Sequence, residues 1–216
     1  MRYDPIVFDW DGTLIDSAGA IVECIQQAAR DLGLPVPDQA RARHVIGLGL
    51  RDSLRAAVPD LPPERTMEFV ACYRREFLAR EHAMQLFPGV IEMLEALRAR
   101  GHVLAVATGK SRQGLERALD ASGLRAYFSA SRCADESTPK PHPAMLHELM
   151  QALAAEPGRM LMIGDTSHDL QMAAAAGVDA VAVTYGAHAE DGLRELRPRA
   201  CVGSVAALRQ WLYQHA

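Results

Sequence analysis

Three short apolar runs, each ending on small polar or charged residues, constrain this 216-residue chain most strongly. Ile6-Val7-Phe8 leads into Asp9-Trp10-Asp11-Gly12-Thr13-Leu14. Val103–Ala107 leads into Thr108-Gly109-Lys110-Ser111. Met160–Ile163 leads into Gly164-Asp165-Thr166-Ser167-His168-Asp169. Runs this short, bounded by turn-forming residues, read as buried strands rather than helices. From Gly101 onward, strand-like segments near 103–107, 127–130, 160–163 and 180–183 alternate with helical patterns near 111–122, 143–154, 167–176 and 204–213. That alternation predicts an α/β fold, a Rossmann-like parallel sheet with helices on both faces. The first strand, 5–9, joins the same sheet. Ligands of such a sheet bind beyond the carboxyl ends of its strands, so residues near 9, 108, 140 and 165 are expected to meet there.

Between the first two strands the pattern changes. Ile21, Ile25, Ala28 and Leu32 fall at helical spacing over 17–33, with Ser17 as the N-cap candidate. Phe69, Tyr73 and Phe77 lie four apart in a second helical stretch, 63–81, and read as core of that region. No strand pattern occurs between 17 and 83. The simplest architecture is a core of residues 1–16 and 84–216 with a helical cap, 17–83, inserted after the first strand. Pro88-Gly89 opens another helix, with an apolar stripe of Val90, Met93, Leu94 and Leu97, closing at Gly101. The two linkers, near 13–18 and 82–88, can act as a hinge.

Asp9 and Asp11 are two apart at a strand end, and a turn at Gly12 keeps them close. Like charges so placed repel unless a cation lies between them, and hard oxygen donors suit Mg²⁺. Asp165 adds a third carboxylate at the end of a neighbouring strand, and Asp169 lies one helical turn further on. Thr108 offers a hydroxyl to an anion. The N–H groups of Gly109 and Lys110 open a helix, whose N-terminus favours negative charge. The Lys110 side chain is either a phosphate contact or a solvated group. Lysine is otherwise nearly absent: Lys110 and Lys140 are the only two, and every other strongly basic residue is arginine. Lys140 is held between Pro139 and Pro141, which restrict its backbone. His168 reads as pocket-lining or solvated. In the cap, Arg51 and Arg55 follow Gly47-Leu48-Gly49; Arg51 is a candidate contact for a second anionic group, a solvated helix face being the alternative.

Taken together, the stretches around Asp9–Leu14, Thr108–Ser111, Lys140 and Gly164–Asp169 resemble, in order and spacing, the haloacid dehalogenase-like hydrolase superfamily, specifically its phosphoglycolate phosphatase-like branch with a helical cap. The resemblance spans essentially the whole chain. It implies a Mg²⁺-dependent phosphatase of a small phosphorylated metabolite. Asp9 would be the nucleophile forming an aspartyl phosphate, and Asp11 the general acid/base, whose backbone carbonyl also touches the metal. Asp9, Asp11 and Asp165 would form the metal site. Thr108, Gly109 and Lys110 would bind phosphate, Lys140 would offset charge, and Asp169 would support Lys140 and the metal shell. Phosphoglycolate leads the candidate substrates, with sugar phosphates, nucleoside monophosphates and pyrophosphate beside it.

Other readings are weighed on residues. A phosphonate hydrolase of this superfamily needs a cap lysine, and 17–83 contains none. A haloacid dehalogenase lacks the acid at position 11. A phosphosugar mutase shares all four motifs and stays open, although no histidine-bearing segment of that type follows Asp16-Ser17. A non-catalytic phospholigand-binding protein is the third alternative. The net charge of -4 points to neither nucleic acid nor an anionic membrane. No run approaches a membrane span, no basic apolar leader precedes the first strand, and the four cysteines lack metal or redox spacing, so a cytoplasmic protein is expected.

Overall fold

The computed structural model describes residues 2–216. Its main sheet has six parallel strands in the order β5-β4-β1-β6-β7-β8: β1 (Ile6–Phe8), β4 (Leu104–Thr108), β5 (Ala130–Cys133), β6 (Leu161–Gly164), β7 (Asp179–Val183) and β8 (Ala200–Val202). β1 lies between β4 and β6, with Phe8 level with Val106 on one side and Ile163 on the other. These three strands are buried on both faces, which is why they read as unbroken apolar runs.

Alternation along the strands feeds two cores. Ile6, Phe8, Val106 and Ile163 pack against the helices α5 (Val90–Ala99), α6 (Arg112–Ser122) and α10 (Val205–His215). Val7, Ala105, Ala107 and Met162 face the other way, against α7 (Ala144–Leu153) and α8 (Ser167–Ala175). Each fully buried large side chain contributes about 1.5–3 kcal/mol of transfer free energy. A short α9 (Glu190–Glu195) joins β7 to β8.

The strand expected at 127–130 lies at 130–133 instead. Residues 125–127 form a turn of 3₁₀ helix, and Tyr127 and Phe128 pack on the edge of the first core. Their apolar character mimics a strand. The real edge strand carries half-exposed Ser131 and Arg132 and shows no apolar run.

Four helices lie in sequence between the halves of the core: α1 (Ala18–Asp31), α2 (Gln39–His44), α3 (Leu50–Ala57) and α4 (Thr66–Arg80). They share a separate apolar cluster built on Ile25, Ala28, Val45, Leu54, Phe69 and Phe77. The chain leaves and re-enters through β2 (Ile15–Asp16) and β3 (Gln85–Leu86), which pair antiparallel. Each is two residues long, below the threshold of any period-2 signal. Ser17 sits at the N-cap of α1 without capping it; its hydroxyl is drawn instead to Asp11. Among the described residues no helix is long and apolar enough to cross a membrane.

Candidate active site

The strand ends bring Asp9, Asp165, Asp169 and Lys140 into one buried cluster. Lys140 Nζ lies 2.7 Å from Asp9 Oδ1 and 2.6 Å from Asp169 Oδ1, with its side chain fully buried. The loop carrying it follows β5, on the far side of β4 from β1. Only a long extended side chain reaches Asp9 from there. Asp169 is fixed from behind by a capping box at the start of α8. Thr166 N–H and its hydroxyl both donate to Asp169 Oδ2, at 3.1 and 2.7 Å. One carboxylate thus caps the helix and holds the lysine.

Asp165 is held by two groups, one of them braced by a third. Thr13 hydroxyl donates to Oδ1 at 2.9 Å, and the Ala187 N–H donates to Oδ2 at 2.7 Å. Tyr185 in turn donates from its hydroxyl to the Thr13 carbonyl at 3.0 Å. Gly12 passes so close that a Cβ there would lie 2.1 Å from Asp165 Oδ2, and its φ of +80° is one that glycine adopts freely. Sequence reasoning singled out neither Thr13, Ala187 nor Tyr185. Thr13 alone carried a visible signal, lying inside the first motif.

One oxygen of each of Asp9, Asp165 and Asp169 lies within 4.8 Å of the others. Three buried carboxylates face a single ammonium. Burial, together with the charges of Asp169 and Asp165, raises the Asp9 pKa well above the ordinary carboxylate range, despite Lys140. Burial and Asp169 push Asp165 up to about 7. Burial opposes the Lys140 charge, but Asp169 and Asp9 outweigh it and raise that pKa. Asp9 Oδ2 is buried and accepts no hydrogen bond. Such an orphaned oxygen costs about 1–3 kcal/mol unless something meets it. Oxygen-only donors, surplus negative charge and an unmet carboxylate oxygen all fit a hard divalent cation.

Asp11 stands apart from that trio. Its Oδ2 is 3.0 Å from Lys110 Nζ, and its Oδ1 accepts the Ser17 hydroxyl at 2.8 Å. Asp9 and Asp165, the two side chains expected around a metal, converge, and Asp169 joins them; the Asp11 carboxylate, whose expected metal contact is through the backbone carbonyl, points toward Lys110. Lys110 is not solvated: its side chain is 10% exposed and its ammonium lies 4.6 Å from the Phe77 ring centroid. Thr108, at the end of β4, accepts the Lys110 N–H on its hydroxyl at 3.2 Å, leaving its own proton free to donate. Ser111 caps α6.

A cavity of about 610 Å³ opens from Asp9, Asp11, Thr108, Gly109 and Lys110 toward α1, α3 and α4. Arg51 lines it. Tyr73 is only half-buried and also faces it, so the aromatic stripe of α4 is shared between core and cavity. The α2–α3 loop closes one side tightly: a Cβ on Gly109 would meet Leu48 O at 2.5 Å and Gly47 O at 2.6 Å. His168 is neither solvated nor in the cavity. Its ring N–H and that of His188 both donate to the His44 carbonyl, at 2.8 and 3.1 Å. Burial lowers the His168 pKa and takes that of His188 down to about 4, keeping both rings neutral donors. The helical insert is thereby tied to the sheet edge.

A parallel α/β sheet whose strand ends gather three aspartates, a lysine and a threonine places the candidate site where ligands of such sheets bind. Residues 6–183 match the haloacid dehalogenase-like hydrolase family, to which the chain belongs. It is 38% identical over 208 residues to "Probable phosphatase IndB" of Dickeya dadantii, covering 93% of this chain and 90% of that protein. It is 30% identical to phosphoglycolate phosphatase of Nitrosococcus oceani, covering 98% and 97%. A crystal structure described as that of a "predicted phosphoglycolate phosphatase" from Haemophilus somnus superposes with a TM-score of 0.87 at 28% identity, covering 98% and 99%. Within its family the chain stands in the phosphoglycolate phosphatase-like branch, and by class it is a phosphoric monoester hydrolase.

Proposed function

We propose that this hydrolase is a Mg²⁺-dependent phosphatase of a small phosphorylated metabolite, working through an aspartyl phosphate on Asp9. The observation that carries the reading is Asp9 itself, just past the end of β1: Lys140 anchors Oδ1 while Oδ2 accepts no hydrogen bond. Oδ2 attacks phosphorus and the bond to the leaving oxygen breaks. Asp11 gives that oxygen a proton, then takes one from the water that attacks the aspartyl phosphate. The second step frees inorganic phosphate and regenerates Asp9. Thr108 and the N–H groups of Gly109 and Lys110 hold phosphoryl oxygens. The incoming phosphoryl group competes with Asp11 for the Lys110 ammonium, which releases Asp11 for proton transfer. Asp9 and Asp165 would hold Mg²⁺ with the Asp11 carbonyl, and Asp169 would stand behind. Bound there, the ion neutralises charge on the phosphoryl oxygens.

Release of phosphate from an aryl phosphate tests the reading. It should fall by at least about a hundredfold in chelator and return on adding Mg²⁺. Full activity in chelator, with no metal retained by the protein, would refute it. The pKa of Asp165 adds a pH signature. Its carboxylate must be ionised to take the cation, so protons compete with Mg²⁺ below about pH 7. Asp9, whose pKa is raised as well, must also be ionised, so the apparent Kd should rise by at least about tenfold per pH unit on acidification. Titration calorimetry across that range measures this, and a flat profile places the ion elsewhere.

Residues 17–83 are proposed as a mobile cap that closes over the substrate, the paired β2 and β3 serving as its hinge. Gly109→Ala should then prop the cap open through its clash with Gly47 and Leu48. The expected result is a fall in kcat/KM of about tenfold or more with little change in Tm. Unaltered kinetics would mean that closure is not part of turnover.

A further inference from the structure

The cavity is far larger than a phosphoryl site requires. About 610 Å³ lies in the range of roughly 300–1,000 Å³ that encloses drug-sized ligands. Its floor, at Asp9, Thr108 and Lys110, is polar, and the wall formed by α1 and α4 is largely apolar. Ile21 and Ile25 come from α1, and Val70, Tyr73 and Phe77 from α4. Tyr73 and Phe77 stack with ring centroids 5.9 Å apart and planes at 28°, forming a flat aromatic wall. Met67 and Leu78, also in the lining, are 57% and 51% exposed. Large apolar side chains left in water around a cavity mark a surface for an apolar ligand.

The cations of the cavity divide into two groups. Lys110 is paired with Asp11, and Arg117 with Glu81. Arg51 and Arg74 line the cavity too, and among the described residues neither has a carboxylate within 4.0 Å. Among the described residues the Arg51 guanidinium has one hydrogen-bond partner, the Met67 sulfur, at 3.4 Å. Two unanswered guanidinium groups beside exposed apolar side chains call for an anion at the end of an apolar body.

We propose that the substrate is a phosphate monoester whose leaving group is a ring-sized aromatic unit bearing a second anionic group at its far end. This rests on the phosphatase reading of the site. The phosphoryl group lies on Asp9 and Thr108, the ring lies against Tyr73 and Phe77, and the distal anion meets Arg51 and Arg74. A two-carbon phosphoacid would leave the aromatic wall wet and these two arginines unpaired.

Steady-state kinetics with Mg²⁺ on 2-phosphoglycolate, benzyl phosphate and 4-carboxybenzyl phosphate test this. All three expel alkoxides of similar basicity, so recognition rather than leaving-group chemistry sets the order. Benzyl phosphate should exceed phosphoglycolate in kcat/KM by at least about tenfold, from burial of the ring. The carboxylate should add about tenfold more. Tyr73→Ala should remove the advantage of the ring, and Tyr73→Phe should keep it. Arg51→Ala combined with Arg74→Ala should erase the gain from the carboxylate while costing benzyl phosphate far less. Phosphoglycolate turned over as well as either benzyl compound would overturn the inference and leave the phosphatase reading intact. A carboxylate preference that survives loss of both arginines would overturn the placement of the anion. Absence of Mg²⁺-dependent phosphate release from all three compounds would end the phosphatase reading, and this inference with it.

Discussion

Asp9→Asn is expected to abolish phosphate release, by about a thousandfold or more in kcat, in a protein that folds as well as the parent. An amide cannot form the acyl phosphate, and removal of a nucleophile is among the largest single losses an enzyme shows. Stability should move the other way. The substitution removes a buried carboxylate whose ionised form is opposed by burial and by the charges of Asp169 and Asp165, while Lys140 keeps Asp169 as its partner at 2.6 Å. The Tm of metal-free protein should therefore hold or rise. Activity and Tm measured on the same preparation separate the nucleophile from a merely structural acid: a structural acid would lose both together. Steady-state turnover near the parent's rate would remove Asp9 from the chemistry.

Lys140→Arg should be nearly as damaging as Lys140→Ala, at about a hundredfold or more in kcat. Lys140 Nζ meets two carboxylates at once, at 2.7 and 2.6 Å, with its side chain fully buried. A planar guanidinium cannot occupy that point without displacing Asp9 or Asp169. A misplacement of about 1 Å at a reacting group can cost on the order of a hundredfold. Lys140→Ala also leaves the buried acids uncompensated, which typically costs about 3–5 kcal/mol of stability. Saturating Mg²⁺ should restore part of that stability and none of the rate. A Lys140→Arg enzyme with most of its kcat would show that charge alone suffices.

The sheet and the meeting of the strand ends were legible because both follow from short-range patterns. Apolar runs at β1, β4 and β6 are continuous since these strands are covered on both faces, and a parallel sheet delivers their ends to one edge. Side-chain direction beyond a turn has no such period. Asp11 lies two residues from Asp9, yet Gly12 and the Ser17 hydroxyl turn its carboxylate toward Lys110. Asp169, read as a supporting acid, lies beside Asp9 and Asp165 because α8 starts directly after β6, the neighbour of β1, and its capping box holds the side chain there. Tyr185, His44 and His188 were invisible for a different reason. Their partners lie 172, 124 and 144 residues away in sequence, and nothing local marks them. The size and apolar lining of the cavity were equally hidden, because they arise where helices of the insert face the core, not within any one of them.

The scarcity of lysine has a consequence for proteolysis. A protease specific for lysine finds two candidate bonds in the whole chain, and one is blocked, because Lys140 is followed by Pro141. The other, Lys110–Ser111, lies beneath Gly47 and Leu48, with the lysine side chain wedged between Asp11 and Phe77. No flexible surface loop competes for the enzyme. A single nick, giving fragments of 110 and 106 residues, therefore reports movement of one loop, and its rate measures how often the site stands open to bulk solvent. A ligand that keeps the loop seated should be visible as slower scission alone, without any signal from chemistry.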